Sequence, residues 1–282
     1  MATLPHSLEI HSENYRFLQQ SVYSTVGIVI DDNKHYLLEG RLQPLAAKLG
    51  LGSVNDLCQT LRNSGDIEIT RMVAEAMTTN ETYFFREPQQ YDAIKTLLLP
   101  RLRSEVGDAR KLRFWSSASS TGQEAYSLGM LMLEQGVESS RIQILGTDFS
   151  SKVLERAKSG LYHQIEVNRG LPTSFLVKYF HRTGVSWQLS DEVRRMASFE
   201  TFDLRASMRT MGPFDLVFCR NVMIYFDSDT RKRMMKEIHS TLFRGDEHNG
   251  ETSAKRFSGV KKVIRAITPP ILMDAVSKSK RV

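Results

Sequence analysis

Arg220, Asn221 and Tyr225 follow directly on the apolar residues Phe214, Leu216, Val217, Phe218 and Cys219. A guanidinium can hold a carboxylate through two parallel hydrogen bonds, an amide both donates and accepts, and a phenol can orient a polar reactant. The run before them is of strand length and nearly continuous in apolar residues, the pattern of a strand buried on both faces of a parallel sheet. Polar groups just past the carboxyl end of such a strand lie where open α/β sheets bind ligands. A buried strand followed by an ordinary loop would read the same way, so the chemistry must be weighed with other stretches.

The first of these is the turn Ser116-Ser117-Ala118-Ser119-Ser120-Thr121-Gly122-Gln123-Glu124. It has small residues and a single glycine, whereas close approach of a pyrophosphate to the backbone requires G-x-G-x-x-G, so NAD and FAD are disfavoured. A nucleoside without phosphate, such as S-adenosylmethionine, can still place its carboxylate near a helix N-terminus and its ammonium near Glu124. Asp148 ends a second apolar run, 142–146, about where an acidic residue meets ribose hydroxyls in nucleotide-binding sheets. The competing reading of Asp148 is a cap for a helix opening at Ser150 and Ser151.

These residues need a parallel sheet to position them, and from residue 111 onward strands alternate with helices. Strands are expected at 112–115, 142–146, 197–204 and 214–219, and helices at 122–134, 150–159 and 227–242. Such alternation implies right-handed crossovers. Residues 9 to about 80 read instead as amphipathic helices. Tyr15, Leu18, Val22 and Val26 form one stripe; Asp31 and Asp32 are placed to cap a second helix carrying Leu38, Leu42, Leu45 and Leu49, which Pro44 interrupts; Ser53 opens a third that ends at Gly65; Met72, Val73, Ala76 and Met77 stripe a fourth. The segment 78–88 then alternates polar groups with Tyr83, Phe84 and Phe85, more a lining than a tether. Pro88 suits the first turn of a helix carrying Tyr91, Ile94, Leu97 and Leu98.

Composition narrows the classes. The chain has 282 residues, 41% hydrophobic and 25% charged, which suits a large α/β domain plus a smaller one. No run of about 18 apolar residues occurs and the first residues lack a basic n-region before an apolar core, so a cytoplasmic location is expected. Cys58 and Cys219 have no CxxC partner and read as buried thiols rather than a disulfide or metal site. The net charge of +6 is uneven: 11 basic against 14 acidic residues in 1–110, 18 against 14 in 111–243, and nine against four in 244–282. Most of the excess is therefore in the tail, and the body is too balanced to argue for DNA or RNA.

Four separated motifs, Thr79-Asn80-Glu81-Thr82-Tyr83-Phe84-Phe85-Arg86-Glu87, Trp115-Ser116-Ser117-Ala118 through Ser127, Gly146-Thr147-Asp148, and 214–226, resemble in type and order the bacterial chemotaxis receptor methyltransferases, the CheR family. The resemblance covers roughly residues 10–243. It implies a doubly wound, mainly parallel Rossmann-like sheet with a small all-helical N-terminal domain and a small β-subdomain. The corresponding boundaries are 1–88 for the helical domain and interdomain segment, 89–243 for the methyltransferase domain with the β-subdomain at about 161–200, and 244–282 for an atypical basic tail. It also implies transfer of a methyl group from S-adenosylmethionine to glutamate side chains on the cytoplasmic helices of chemoreceptors, by a monomer that uses no metal and binds neither nucleic acid nor the bilayer. By the same resemblance Asn80, Thr82 and Arg86 contact the cofactor, Glu124 and Asp148 hold its polar ends, Asp203 and Leu204 line the adenine side, and Arg220 and Asn221 meet the methionine part. Arg86 and Tyr225 become the candidates for orienting the reactants.

The residue types agree with that chemistry. A glutamate, with an unperturbed pKa of about 4.3, is already ionised at neutral pH and needs alignment and desolvation rather than a general base. None of the seven histidines occupies a motif position. After Leu242 the chain departs from the family: only 263–267 offers a further strand, Pro269-Pro270 stops it, and the β-subdomain is short between Phe180 and Trp187. A non-catalytic adaptor derived from the family therefore stands as the alternative, with a nucleic-acid methyltransferase third.

Overall fold

The computed structural model describes residues 9–243, so the tail at 244–282, including the strand expected at 263–267, lies outside the described residues. The described chain forms two compact units, one of residues up to Thr79 together with Ile224–Arg231, the other of the remainder.

The helical unit contains α1 (Ser12–Val26), α2 (His35–Lys48), α3 (Val54–Ser64) and α4 (Ile67–Met77). α1 buries Tyr15, Leu18, Val22 and Val26, the expected stripe, and Gly27 closes it in the left-handed conformation at φ 77°. Ser53 caps α3 by accepting a hydrogen bond from the Asp56 N–H at 3.1 Å. Two expectations for α2 are corrected. Asp31 and Asp32 do not cap it, because the Asp31 carbonyl accepts from the Tyr15 hydroxyl at 2.6 Å and the Asp32 carboxylate from Gln19 at 3.0 Å, so contacts with α1 make this a turn. Nor does Pro44 interrupt it. An interior proline costs about 3 kcal/mol, but Leu38, Leu42 and Leu45 are buried on both sides of it, each worth about 1.5–3 kcal/mol.

The second unit opens with α5 (Pro88–Ala93), with Pro88 in its first turn, and continues through a wide turn at Ile94–Leu98 into α6 (Leu99–Val106). The Leu99 N–H reaches back five residues to the Ile94 carbonyl, and Pro100, which has no N–H, follows immediately. That insertion shifts the register, leaving Leu97 half exposed where a regular helix would have buried it. Then come β1 (Leu112–Ser116), α7 (Gln123–Glu134), β2 (Ile142–Asp148), α8 (Ser151–Ser159), β3 (Leu161–His163), α9 (Gln164–Val167), α10 (Thr173–Tyr179), β4 (Phe180–Thr183), β5 (Ser186–Leu189), α11 (Asp191–Arg195), β6 (Ala197–Thr201), β7 (Leu216–Phe218) and α12 (Ser228–Ser240).

The main sheet has the order β6-β2-β1-β7 and every pairing in it is parallel. β6 and β7 are shorter than the apolar patterns at 197–204 and 214–219 suggested. A small antiparallel sheet, β3-β5-β4, occupies 161–189, so the last part of the interval 161–200 belongs to the main sheet through β6. Beyond β7 the chain returns at Leu242 to a single parallel bridge with Phe214. The order places the switch point between β1 and β7, where the chain leaves the β1-β2-β6 side of the sheet for the other, with Ser116 level with both Gly146 and Phe218. Ligands of open α/β sheets bind outside the carboxyl ends at that point.

Candidate active site

The carboxyl ends of β2, β6 and β7 carry Asp148, Asp203, Leu204, Arg220 and Asn221, the first turn of α7 carries Glu124, and Asn80, Thr82 and Arg86 come from the segment before α5. Trp115 in β1 donates its indole N–H to the Thr147 hydroxyl at 2.9 Å, tying the ends of β1 and β2 together. The turn between β1 and α7 then folds over them. Gly122 takes φ 93°, and a Cβ there would meet the Tyr126 ring at 3.1 Å, so this single glycine is required both for its conformation and for its tight packing.

The Asp148 carboxylate bridges the turn after β1 and the approach to α8. One carboxylate oxygen accepts from the Ser120 N–H at 2.9 Å in the turn, the other from the Ser150 N–H at 3.1 Å before α8. Ser120 also donates its hydroxyl to the Asn80 carbonyl at 3.0 Å, which brings the 80–87 segment to the same place. The Asn80 side chain is exposed and Thr82 is half-buried. Phe85 donates its N–H to the Ser127 hydroxyl of α7 at 2.9 Å, anchoring the middle of that segment.

Glu124 and Arg220 form the charged centre. Ser116 donates to one Glu124 oxygen at 2.7 Å, and the other lies 3.2 Å from Nη1 of Arg220. Arg220, with only 2% of its side chain exposed, also donates from Nη2 to the Arg86 carbonyl at 2.5 Å and lies over the Phe218 and Tyr91 rings at 5.3 and 5.8 Å. Its Nε has no hydrogen-bond partner among the described residues. Burial raises the Glu124 carboxyl above its ordinary pKa despite the opposing pull of Arg220. Cys219 is a free thiol and, unlike the buried Cys58, only half-buried, against the expectation of two buried thiols; desolvation pushes its pKa up to about 12.

Arg86 donates from Nη1 to the Glu81 carbonyl at 2.8 Å and lies 5.6 Å over the Tyr83 ring, while no carboxylate among the described residues pairs with it. Leu204 is buried beside Asp203, whose carboxylate is held by Arg205 through Nη2 at 2.6 Å and Nε at 3.1 Å. Tyr225 belongs to the helical unit, where its carbonyl accepts from the Val29 N–H at 2.9 Å. Sequence reasoning assigned no role to Ser116, Ser120, Tyr91, Arg205 or Glu87. Glu87 stood inside a quoted motif, and a carboxylate beside an arginine was the available signal.

The family model described as CheR methyltransferase, SAM binding domain, matches residues 80–246, and the model described as CheR methyltransferase, all-alpha domain, matches residues 13–77. The chain belongs to the CheR methyltransferase family. Among its relatives, chemotaxis protein methyltransferase 1 of Pseudomonas aeruginosa is 38% identical, the match covering 78% of this chain and 82% of that one. The chemotaxis protein methyltransferase of Vibrio anguillarum is 34% identical over 85% and 88% of the two chains, and that of Escherichia coli 32% identical over 89% of each. The all-alpha match spans α1 to α4, and the SAM-binding match begins at Asn80 and covers the rest of the described residues. No helix among the described residues is long and apolar enough to cross a membrane.

Proposed function

We propose that this CheR-family chain transfers the methyl group of S-adenosylmethionine to glutamate side chains on the cytoplasmic helices of chemoreceptors, forming methyl esters. The observation that carries the reading is the Glu124–Arg220 centre with Asp148 beside it at the switch point of the sheet. The donor set fits the cofactor's polar ends. Glu124 would take the ammonium, the unpartnered Nε of Arg220 would face the carboxylate, and Asp148 would accept from the ribose hydroxyls while Leu204 covers the base. When bound, the cofactor supplies a methyl group on a sulfonium, which leaves as a neutral thioether.

The chain's own contribution is placement. Arg86 has a carbonyl and an aromatic ring at its back and pairs with no carboxylate among the described residues, which suits a cation reserved for an incoming carboxylate. Because that carboxylate arrives ionised, no proton has to be removed from it. Aligning it with the sulfonium methyl and stripping its water are the tasks left to the protein.

Methyl-labelled cofactor incubated with a purified cytoplasmic receptor fragment tests the reading. Label that appears on the fragment and is released as methanol by mild base supports a glutamyl ester. Measurable binding of S-adenosylhomocysteine without transfer would favour a non-catalytic adaptor, and label on RNA or DNA would refute the substrate class.

A further inference from the structure

Four non-glycine residues have positive φ among the described residues: Phe85 at 51°, Glu87 at 57°, Ser120 at 49° and Asn221 at 54°. All four lie in the loops of the site. Such conformations are unfavourable for residues with a Cβ and persist where the surroundings over-determine them. Glu87 is the least expected, since it precedes a proline and the clash with the ring favours extended backbone there. What holds it is its carboxylate. Oε1 accepts from the Asn221 amide at 3.2 Å, and Oε2 accepts from the buried Gln90 amide at 2.6 Å and lies 3.5 Å from Nη2 of Arg220. Two strained residues 134 positions apart in the chain are thus joined to each other by a hydrogen bond.

We infer that Glu87 is a positioning residue: its carboxylate fixes the Arg220 guanidinium and the Asn221 amide so that Arg220 presents its free Nε to the carboxylate of the cofactor's amino-acid part. This rests on the cofactor reading above and extends it to a residue outside the ligand contacts assigned there. Two anions flank the guanidinium: Glu124 meets Nη1 at 3.2 Å, while on the Nη2 side the Arg86 carbonyl accepts at 2.5 Å and Glu87 adds its charge at 3.5 Å, and together they keep the plane in the orientation that leaves Nε free. Asn221 and Gln90 prevent the Glu87 carboxylate from following the guanidinium if it moves.

The test compares two ligands on Glu87→Gln, a substitution of the same shape that removes the charge. S-adenosylhomocysteine carries the amino-acid carboxylate, and 5′-methylthioadenosine carries the same nucleoside without it. Calorimetry is expected to show Glu87→Gln weakening S-adenosylhomocysteine about tenfold or more while leaving 5′-methylthioadenosine within about twofold, the scale of one charge-assisted contact. On an Arg220→Gln background the same change should have little further effect, because the residue acts through Arg220. Equal losses for both ligands, no loss for either, or full additivity with Arg220→Gln would overturn the role of Glu87. Wild-type protein that binds neither ligand would instead overturn the cofactor reading, and the inference with it.

Discussion

Replacing Glu124 with glutamine separates binding from folding, and the expected sizes follow from the site. Glutamine keeps an oxygen to accept from Ser116 and resembles a protonated Glu124. At 3.2 Å and an effective dielectric of about 20, the attraction to Arg220 is on the order of 5 kcal/mol, which from distance alone implies a large loss of stability. The direction of the Glu124 shift argues otherwise. Its pKa is raised by burial in spite of Arg220, so the native state favours the neutral carboxyl more than the unfolded chain does. By linkage, the stability contributed by Glu124 is present below its unfolded value, about 4.3, and is lost as pH rises through the higher folded value. At neutral pH the buried charge costs stability, but Glu124 in turn raises the Arg220 pKa and is one of its few partners, so the two effects oppose each other and Glu124→Gln should move the melting temperature by only a few degrees in either direction. Cofactor binding should respond strongly. The ammonium loses a charge-assisted hydrogen bond worth about 1.5–3 kcal/mol, roughly a ten- to 150-fold loss of affinity. Thermal denaturation and calorimetric titration with S-adenosylhomocysteine on one preparation provide both numbers. A melting temperature moved by many degrees, or an affinity that does not move, would refute the argument.

Three other outcomes are expected. Asp148→Ala should weaken S-adenosylhomocysteine by about 1–3 kcal/mol, read by the same titration, and should also loosen the turn because the Ser120 and Ser150 N–H groups lose their acceptor. Arg86→Lys should preserve the fold while lowering methyl transfer by about 100-fold, since one point charge cannot hold a carboxylate as the planar fork does; turnover per folded molecule that stays near wild type would remove Arg86 from the reaction. Asp227 caps α12 through the Thr230 N–H and hydroxyl, which hold its pKa at about 2. Because that value lies below the unfolded one near 3.9, the stabilisation is present above pH 3.9 and is lost as the pH falls toward 2. Asp227→Ala should accordingly cost about 0.5–2 kcal/mol at neutral pH and lose less on acidification than wild type, as followed by denaturant titration at several pH values.

Much of this molecule was legible in the order of its residues, because the physical signals concerned are local. The stripe Tyr15, Leu18, Val22 and Val26 repeats with the period of a helix whatever the rest of the chain does, and the alternation of apolar runs with helical segments after residue 111 already implied a parallel sheet. The turn at Gly122, the acid ending β2 and the arginine after β7 likewise announced themselves by position relative to a strand end. What the tertiary structure alone decided is which of these groups meet. Glu124 and Arg220 are 96 residues apart, and Glu87 is separated from Asn221 by 134, so their pairings follow from the strand order β6-β2-β1-β7 and not from spacing. The same holds for the exceptions to local rules. Pro44 stays inside α2 because the leucines around it are buried, Asp31 and Asp32 form a turn because Tyr15 and Gln19 claim them, and Glu87 remains in a strained conformation because the distant Asn221 and Arg220, with Gln90 nearby, hold its carboxylate. Local preferences are worth about 1–3 kcal/mol each, and burial or a charged hydrogen bond of similar size, invisible until the chain has folded, is enough to reverse them.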